Sequence, residues 1–318
     1  KFNCDILFMD ELSKFKVRGS HWDCESSINL EYFNNNLKEY SFVISGLRMI
    51  KYYYFHHKIS KQIKLIFYNE RPIISKNKLI SLFKVIFYFF NFQTIKPSAA
   101  IGIGDQAADY FSKMSNKNCL VLNFPYYLEK YTSYKLKNNI SNEYKFIFSG
   151  QLIRRNNLFQ LIKVFKSYEK KYQKIKPISL LIYGDGPLKK SLQKYINFLS
   201  LEKMVFINSE RPKNWEFRLE TLNQSDCLIS IPNYSGWGLT IPEALSLGKY
   251  VITSSKAEAA KYYIRNGLNG IMFSKYNLKT LLETIYYVAL NKKNNLNNNI
   301  IHSRDEYINF FEMLIDLI

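Results

Sequence analysis

The stretch Ser235 to Gly248, SGWGLTIPEALSLG, presents successive backbone amides at Trp237 to Thr240 and a carboxylate, Glu243, about one helical turn further on. Amides at a helix start bind anions, and glycine lets a backbone come close to a phosphate. Amides for a diphosphate with a carboxylate for ribose hydroxyls make a nucleotide-sugar arrangement. The plainer reading of Glu243 is a charge that stabilises the helix start by about 0.3 to 1 kcal/mol. Further loops of this kind are Gly150-Gln151-Leu152-Ile153-Arg154-Arg155 and Gly184-Asp185-Gly186-Pro187. In the first half they are Ser45-Gly46, Asn69-Glu70-Arg71 and Gly102-Ile103-Gly104-Asp105. Each of these alone is no more than a tight turn.

Other chemistries fit less well. No two aspartates are separated by one residue, so the Asp-x-Asp pair that holds a metal on a diphosphate is missing. His21, Asp23 and Cys24, or His56 and His57, are the remaining metal candidates, but adjacent histidines chelate poorly from either a strand or a helix; no metal is expected. Gly102 and Gly104 lack the third glycine of a dinucleotide fingerprint. Cys4, Cys24, Cys119 and Cys227 lie far apart, so reduced thiols are expected rather than a disulfide framework.

These loops need strands to carry them. Short apolar or β-branched runs alternate with longer amphipathic stretches, the pattern of βαβ units and parallel sheets. Strands are expected near Cys4–Met9, Phe42–Ser45, Lys64–Tyr68, Ala99–Ile103 and Val121–Asn123, with helices over Leu79–Phe92 and from Asp105. Residues 132–143 are polar and aperiodic and read as a linker. Beyond it come Tyr144–Ser149, Ile178–Tyr183, Met204–Ile207, Cys227–Ile231, Tyr250–Thr253 and Gly270–Phe273, with helices between. Leu158, Leu161, Ile162, Phe165, Tyr168 and Tyr172 recur at helical spacing. An Asn-rich hinge, Asn291 to Asn299, precedes a last helix whose start is marked by Ser303 and Glu306 in capping-box spacing. At ~150 residues per domain, 318 residues make two. The ligand edge of such open sheets lies beyond the carboxyl ends of the strands.

Four segments in the second half resemble the retaining family 4 glycosyltransferases of GT-B fold: FSGQLIRRNN (Phe148–Asn157), YGDGP (Tyr183–Pro187), SGWGLTIPEALSLGKYVI (Ser235–Ile252) and RNGLNGIMF (Arg265–Phe273). More loosely, FYNERP (Phe67–Pro72), AAIGIGDQAADYF (Ala99–Phe111) and NFPYYLE (Asn123–Glu129) resemble the acceptor domain of bacterial polysaccharide transferases. The chain also departs from the pattern. Ser235 stands where the first acidic residue would, Gln151 at the loop arginine, and Asn156-Asn157 in place of Lys-Gly.

The resemblance implies an α/β, GT-B chain of two doubly wound domains. Residues 1–135 would be the acceptor domain, lacking its first strand, and 144–290 the nucleotide-sugar domain. Residues 300–318 would be a helix returning to the first domain. It implies metal-independent, retaining transfer from a nucleotide-sugar to a glycan or lipid-linked glycan in surface polysaccharide synthesis, of hexosyl or N-acetylhexosaminyl type. Glu243, Ser235 and Arg155 are the expected catalytic residues. The donor is expected on Gly150, Gln151, Arg154, Arg155, Gly184, Asp185, Gly186, Gly236, Trp237, Gly238, Leu239, Thr240 and Glu243. Ser45, Gly46, Glu70, Gly102 and Gly104 would line the acceptor side. No cofactor and no nucleic acid are expected. The alternative is a non-catalytic homologue that binds sugar nucleotide or glycan and supports a partner enzyme.

The chain carries 45 Lys plus Arg against 26 Asp plus Glu, a net +19. Residues 51–96 hold nine basic residues and one acid, and residues 154–194 hold eleven and two. Such a surface attracts polyanions, although lysine spread over solvated faces accounts for much of the excess. Lys51, Lys58, Lys61, Lys64, Arg71, Lys76, Lys78 and Lys84 surround the aromatic run Val85–Phe92. Two readings stand: a patch that docks on anionic lipid, or a buried helix with solvated lysines. No apolar run reaches the ~18 residues that span a bilayer. The expected location is cytoplasmic, peripheral on the inner face of the membrane. The chain starts at Lys1 with no leader pattern, which suggests a cut N-terminus.

Overall fold

The computed structural model describes residues 6–7, 27–28, 33, 35–46, 53–71, 78–125, 142–210, 215–291, 309–310, 312–314 and 317. The remainder of the expected Cys4–Met9 strand, most of the 132–143 linker, the 292–299 hinge and the Ser303–Glu306 cap fall outside those residues. So do His21, Asp23, Cys24, Lys51 and Lys76. The chain divides into two compact units, Lys1–Tyr126 with Asn309–Ile318, and Tyr127–Ile308.

The first unit contains a two-stranded parallel pair, β1 (Ile6–Leu7) with β2 (Ser27–Ile28), and a four-stranded parallel sheet. The sheet runs in chain order: β3 (Phe42–Ser45), β4 (Lys64–Asn69), β5 (Ala99–Gly102), β6 (Leu120–Asn123). Helices α1 (Tyr53–Ser60), α2 (Lys78–Ile95) and α3 (Asp105–Met114) connect these strands. Strand residues alternate between two faces. Leu65, Phe67 and Ala100 pack with Phe92, Ile95 and Phe111 from the helices. Ile66, Ala99 and Ile101 pack on the other face with Leu314, which is fully buried, and Phe310 stacks on Phe124 at 3.8 Å. Each such buried aliphatic or aromatic side chain contributes about 1.5–3 kcal/mol.

Helix α2 runs from Lys78 to Ile95, longer than the Leu79–Phe92 expected from the sequence. Among its described side chains, the buried ones lie at the C-terminal end, and Tyr88 packs partly buried against the same core. Phe92, Ile95 and Asn91 are buried, whereas Leu79 (67%), Leu82 (56%), Phe83 (71%), Ile86 (41%), Phe89 (43%) and Phe90 (60%) are exposed.

The second unit is a six-stranded parallel sheet in the order β12-β11-β10-β7-β8-β9. Its strands are β7 (Tyr144–Ser149), β8 (Ile178–Tyr183), β9 (Val205–Asn208), β10 (Cys227–Ser230), β11 (Tyr250–Ser254) and β12 (Gly270–Phe273). The helices are α4 (Leu158–Tyr172), α5 (Lys189–Phe198), α6 (Trp215–Asn223), α7 (Thr240–Ser246), α8 (Glu258–Tyr263) and α9 (Leu278–Asn291). Phe146, Leu180, Ile182, Ile229 and Ile252 face α4, α5 and α9, and the Tyr172 and Tyr286 rings stack at 3.9 Å between α4 and α9. Both faces are covered by helices, which is why these strands read as unbroken apolar runs. The strand order reverses between β7 and β10. Doubly wound sheets open a ligand crevice at such a point, beyond the carboxyl ends of the strands.

Candidate functional site

The loops that leave β7 and β10, on either side of the reversal, are tied together. Asn233 N–H donates to the Arg155 carbonyl (2.8 Å), and Asn157 Nδ2 has Ile231 O (2.8 Å), Asn233 Oδ1 (2.8 Å) and Tyr276 Oη (2.9 Å) within reach of its two hydrogens. Asn157 sits in the left-handed region at φ +55. That conformation explains the residue: asparagine tolerates it better than other side chains, and here the amide is buried in a bonded network. Asn156 turns inward as well, its Nδ2 donating to Gln151 O at 2.6 Å. Neither asparagine supplies a cation. Arg154 and Arg155, on the short turn Arg154–Asn156, do. The Arg155 guanidinium lies over the ring of Tyr234, the residue before Ser235, 5.4 Å from its centroid.

The two glycine loops after β7 and β8 interlock. Leu152 N–H donates to Asp185 O (2.9 Å), and Leu188 N–H donates to Leu152 O (3.0 Å). A Cβ on Gly184 would stand 1.9 Å from Gly150 O, and one on Gly186 2.7 Å from Leu152 O. The Gly-Asp-Gly spacing therefore has a structural reason of its own. Beside the nucleotide approach expected from the sequence, it lets one loop backbone approach the other. Gly102 does the same in the first unit, where a Cβ would lie 2.2 Å from Ala108 N at the start of α3.

The Ser235–Gly238 loop rests on the start of α8. Ser235 N–H donates to Lys256 O (3.1 Å) and Ala259 N–H to Trp237 O (2.9 Å). The Trp237 indole is buried beside Tyr262 and Tyr263, with ring centroids 5.1 and 6.0 Å away. Trp237 thus offers only its backbone to a ligand. Among the described residues, the amides of Trp237, Gly238, Leu239 and Thr240 donate to no protein acceptor.

Glu243 does not stand in open ligand space, as the sequence suggested. Its side chain is fully buried, and Arg218 Nη2 lies 2.8 Å from its Oε2. Burial pushes the Glu243 carboxyl above the usual range, and the Arg218 charge opposes that rise. Neither oxygen has a hydrogen-bond partner of good geometry, the Arg218 contact at Oε2 being an ion pair, and a buried acceptor left so costs about 1–3 kcal/mol. Sequence reasoning missed Arg218. Nothing marks it in WEFRLETLN beyond its place in the first turn of a helix that follows a strand end.

In the first unit, Ser45, Glu70 and Gly102 lie at the carboxyl ends of β3, β4 and β5. Gly46 follows Ser45 and is exposed, while Gly104, at φ +92, precedes α3. Ser45 Oγ lies 2.8 Å from His56 Nε2. His56 is buried, which drops its pKa to about 4 and keeps the ring neutral. It is a hydroxyl's partner, a role sequence reading did not assign. Among the described residues no three His, Cys, Asp or Glu cluster as metal ligands. Cys119 and Cys227 are free and buried.

Comparison with known proteins adds to this geometry. Residues 132–304 match the family model described as Glycosyl transferases group 1. An uncharacterized glycosyltransferase of Methanocaldococcus jannaschii is 28% identical over 185 residues, 56% of this chain and 42% of that protein. The poly(glycerol-phosphate) alpha-glucosyltransferase of Bacillus subtilis is 25% identical over 222 residues, 69% of this chain and 31% of that protein. The chain therefore spans less than half the length of these curated relatives. The crystal structure of Anabaena HepE in complex with UDP and glucose superposes with a TM-score of 0.67 at 15% identity, over 89% of this chain and 80% of that one. That likeness shows the fold, the paired parallel α/β units of GT-B glycosyltransferases. With its second unit matched almost end to end, the chain belongs to the group 1 glycosyltransferase family.

Proposed function

We propose that the protein transfers a sugar from a nucleoside-diphosphate donor to a glycan or lipid-linked glycan acceptor in surface polysaccharide synthesis, with retention and without a metal. The observation that carries this is the tying together of the β7 and β10 loops at the strand-order reversal, which sets Arg155, Tyr234, Ser235 and the unused amides of Trp237–Thr240 on one edge. In the transfer, the anomeric carbon–oxygen bond to the diphosphate breaks and a bond to the acceptor hydroxyl oxygen forms. The hydroxyl proton leaves to a diphosphate oxygen. Negative charge grows on that diphosphate, so amides and arginine fixed in advance are the main source of rate. Arg154 and Arg155 take the place of the cations that Gln151 and Asn156 do not provide. The relative that acts on poly(glycerol-phosphate) and the neighbour with bound UDP and glucose support the acceptor and donor classes.

Melting shifts with UDP, GDP and ADP test the donor site. One of them should stabilise the parent chain, and the R154A/R155A double variant should bind it at least tenfold more weakly, the loss of about one charge-assisted hydrogen bond. Unchanged affinity in the double variant would remove the arginines from the site. A second reading, a homologue that binds sugar nucleotide without turnover, is favoured by one observation, the closure of Glu243 behind Arg218.

The acceptor side has a surface suited to lipid. Leu79, Leu82, Phe83, Ile86, Phe89 and Phe90 recur at helical spacing along α2 and are all exposed. The helix carries Lys84 and no acid, and Lys58, Lys61 and Lys64 stand on or just beyond α1, which packs against it. A second copy would bring like charges together, whereas anionic headgroups complement them at about 1 kcal/mol per cation. No helix among the described residues is long and apolar enough to cross a membrane. Sedimentation with phosphatidylglycerol vesicles should therefore exceed that with phosphatidylcholine, fall with salt, and drop in the F83S/F90S variant. Equal binding to both vesicles, or to neither, contradicts docking.

A further inference from the structure

We infer that Arg218 is a positioning residue of the donor site, resting on the donor-site reading above. It holds the Glu243 carboxylate fixed, with Oε1 left to accept hydrogen bonds from the ribose hydroxyls of a bound nucleotide. Three observations carry this. Arg218 and Glu243 stand in the first turns of α6 and α7, the helices that follow the carboxyl ends of β9 and β10, on the ligand edge of the sheet. The guanidinium Nη2 engages Oε2 at 2.8 Å. Oε1 of the same fully buried carboxylate has no hydrogen-bond partner. Oε2 lacks a well-aligned hydrogen bond as well, so the two oxygens differ in the ion-pair contact, which Oε2 has and Oε1 does not.

The elements packed against α7 are α6, α8, β10 and β11. Their charged side chains, among those described, are Arg218 and Glu220 on α6 and Glu258 and Lys261 on α8. Glu220 and Lys261 are exposed. The thiol of Cys227 on β10 and the phenol of Tyr250 on β11 are pushed up by burial and stay neutral near pH 7. Arg218 is the one cation in ion-pair contact with Glu243 among the described residues.

The sign of the pH effect follows. Burial raises the Glu243 carboxyl and Arg218 lowers it, so removing Arg218 raises it further. A protonated carboxyl no longer accepts both ribose hydrogen bonds, so affinity is lost as pH falls through that pKa. Calorimetric binding of UDP, GDP and ADP between pH 5 and 9 tests this in the full chain. In R218Q the acid limb should move to higher pH, with binding at least tenfold weaker at the acid end of that range and largely restored at its alkaline end. R218K, which keeps a charge, should regain most of the parent profile. Should R218Q fail to fold, R218M/E243L removes both charges together, and it should bind weakly with no limb from this site. A loss in R218Q that is equal at every pH, no loss at all, or a parent-like acid limb in R218M/E243L would overturn the assignment. If the parent bound none of the three diphosphates, the donor-site reading itself would fail, a result distinct from any of these.

Discussion

Replacing Glu243 by glutamine is expected to lower donor turnover about 10- to 100-fold, the loss of one hydrogen bond to a charged acceptor. Glutamine keeps the shape of the side chain, so the melting temperature reports separately on packing. Alanine is the poorer probe. Glu243 is fully buried and ion-paired with Arg218, and removing one member of a buried pair costs about 3–5 kcal/mol. Part of that is recovered here because Arg218 is 19% exposed and reaches water. The alanine variant should therefore melt clearly below the parent. Normal turnover in Glu243→Gln would make Glu243 a packing residue and remove the ribose from its neighbourhood.

Gly184→Ala should be the most damaging single methyl in the second unit. The added carbon would overlap Gly150 O at 1.9 Å, and the backbone sits at φ +147, where side chains are rarely found. Neither atom belongs to a flexible side chain, so the loops after β7 and β8 must separate. Overpacking of this kind costs about 3 kcal/mol or more, roughly 6–12 °C of melting temperature at this size. Gly46→Ala is the control, since nothing lies within 4 Å of its added carbon, and it should melt with the parent. A parent-like melt for Gly184→Ala would mean that the two loops are not interlocked as described.

These two residues also mark what could be read from the chain alone. The strands of the second unit were legible because both faces of its sheet are covered, so each is a continuous apolar run such as Ile178–Tyr183. The positions of the glycine turns were legible too, because each run ends at a glycine. Which backbone each glycine meets was not, since Gly184 and Gly150 lie on different strands and only the parallel pairing of β7 with β8 brings them together. Arg218 was illegible for the same reason. Its partner is on the next helix, and an arginine in a short amphipathic helix has the composition of a solvated face. The exposed face of α2 was half legible. The aromatic run and its lysines stand out, but such a run does not say whether it turns to the core or away from it. Helix α1 and strand β2 were missed because YYFHHKIS and a two-residue strand carry too little periodicity to stand out.

The central claim is that this chain moves a sugar from a nucleoside diphosphate. Its most direct test is release of nucleoside diphosphate from a panel of UDP-, GDP- and ADP-sugars in the presence of glycan and polyol-phosphate acceptors, with the anomeric configuration of the product read by NMR. The account predicts acceptor-dependent release from one donor, a product with the donor's own configuration, and release at least tenfold slower in Glu243→Gln. Tight binding of a donor with no acceptor-dependent release, or equal release by the variant, would contradict it.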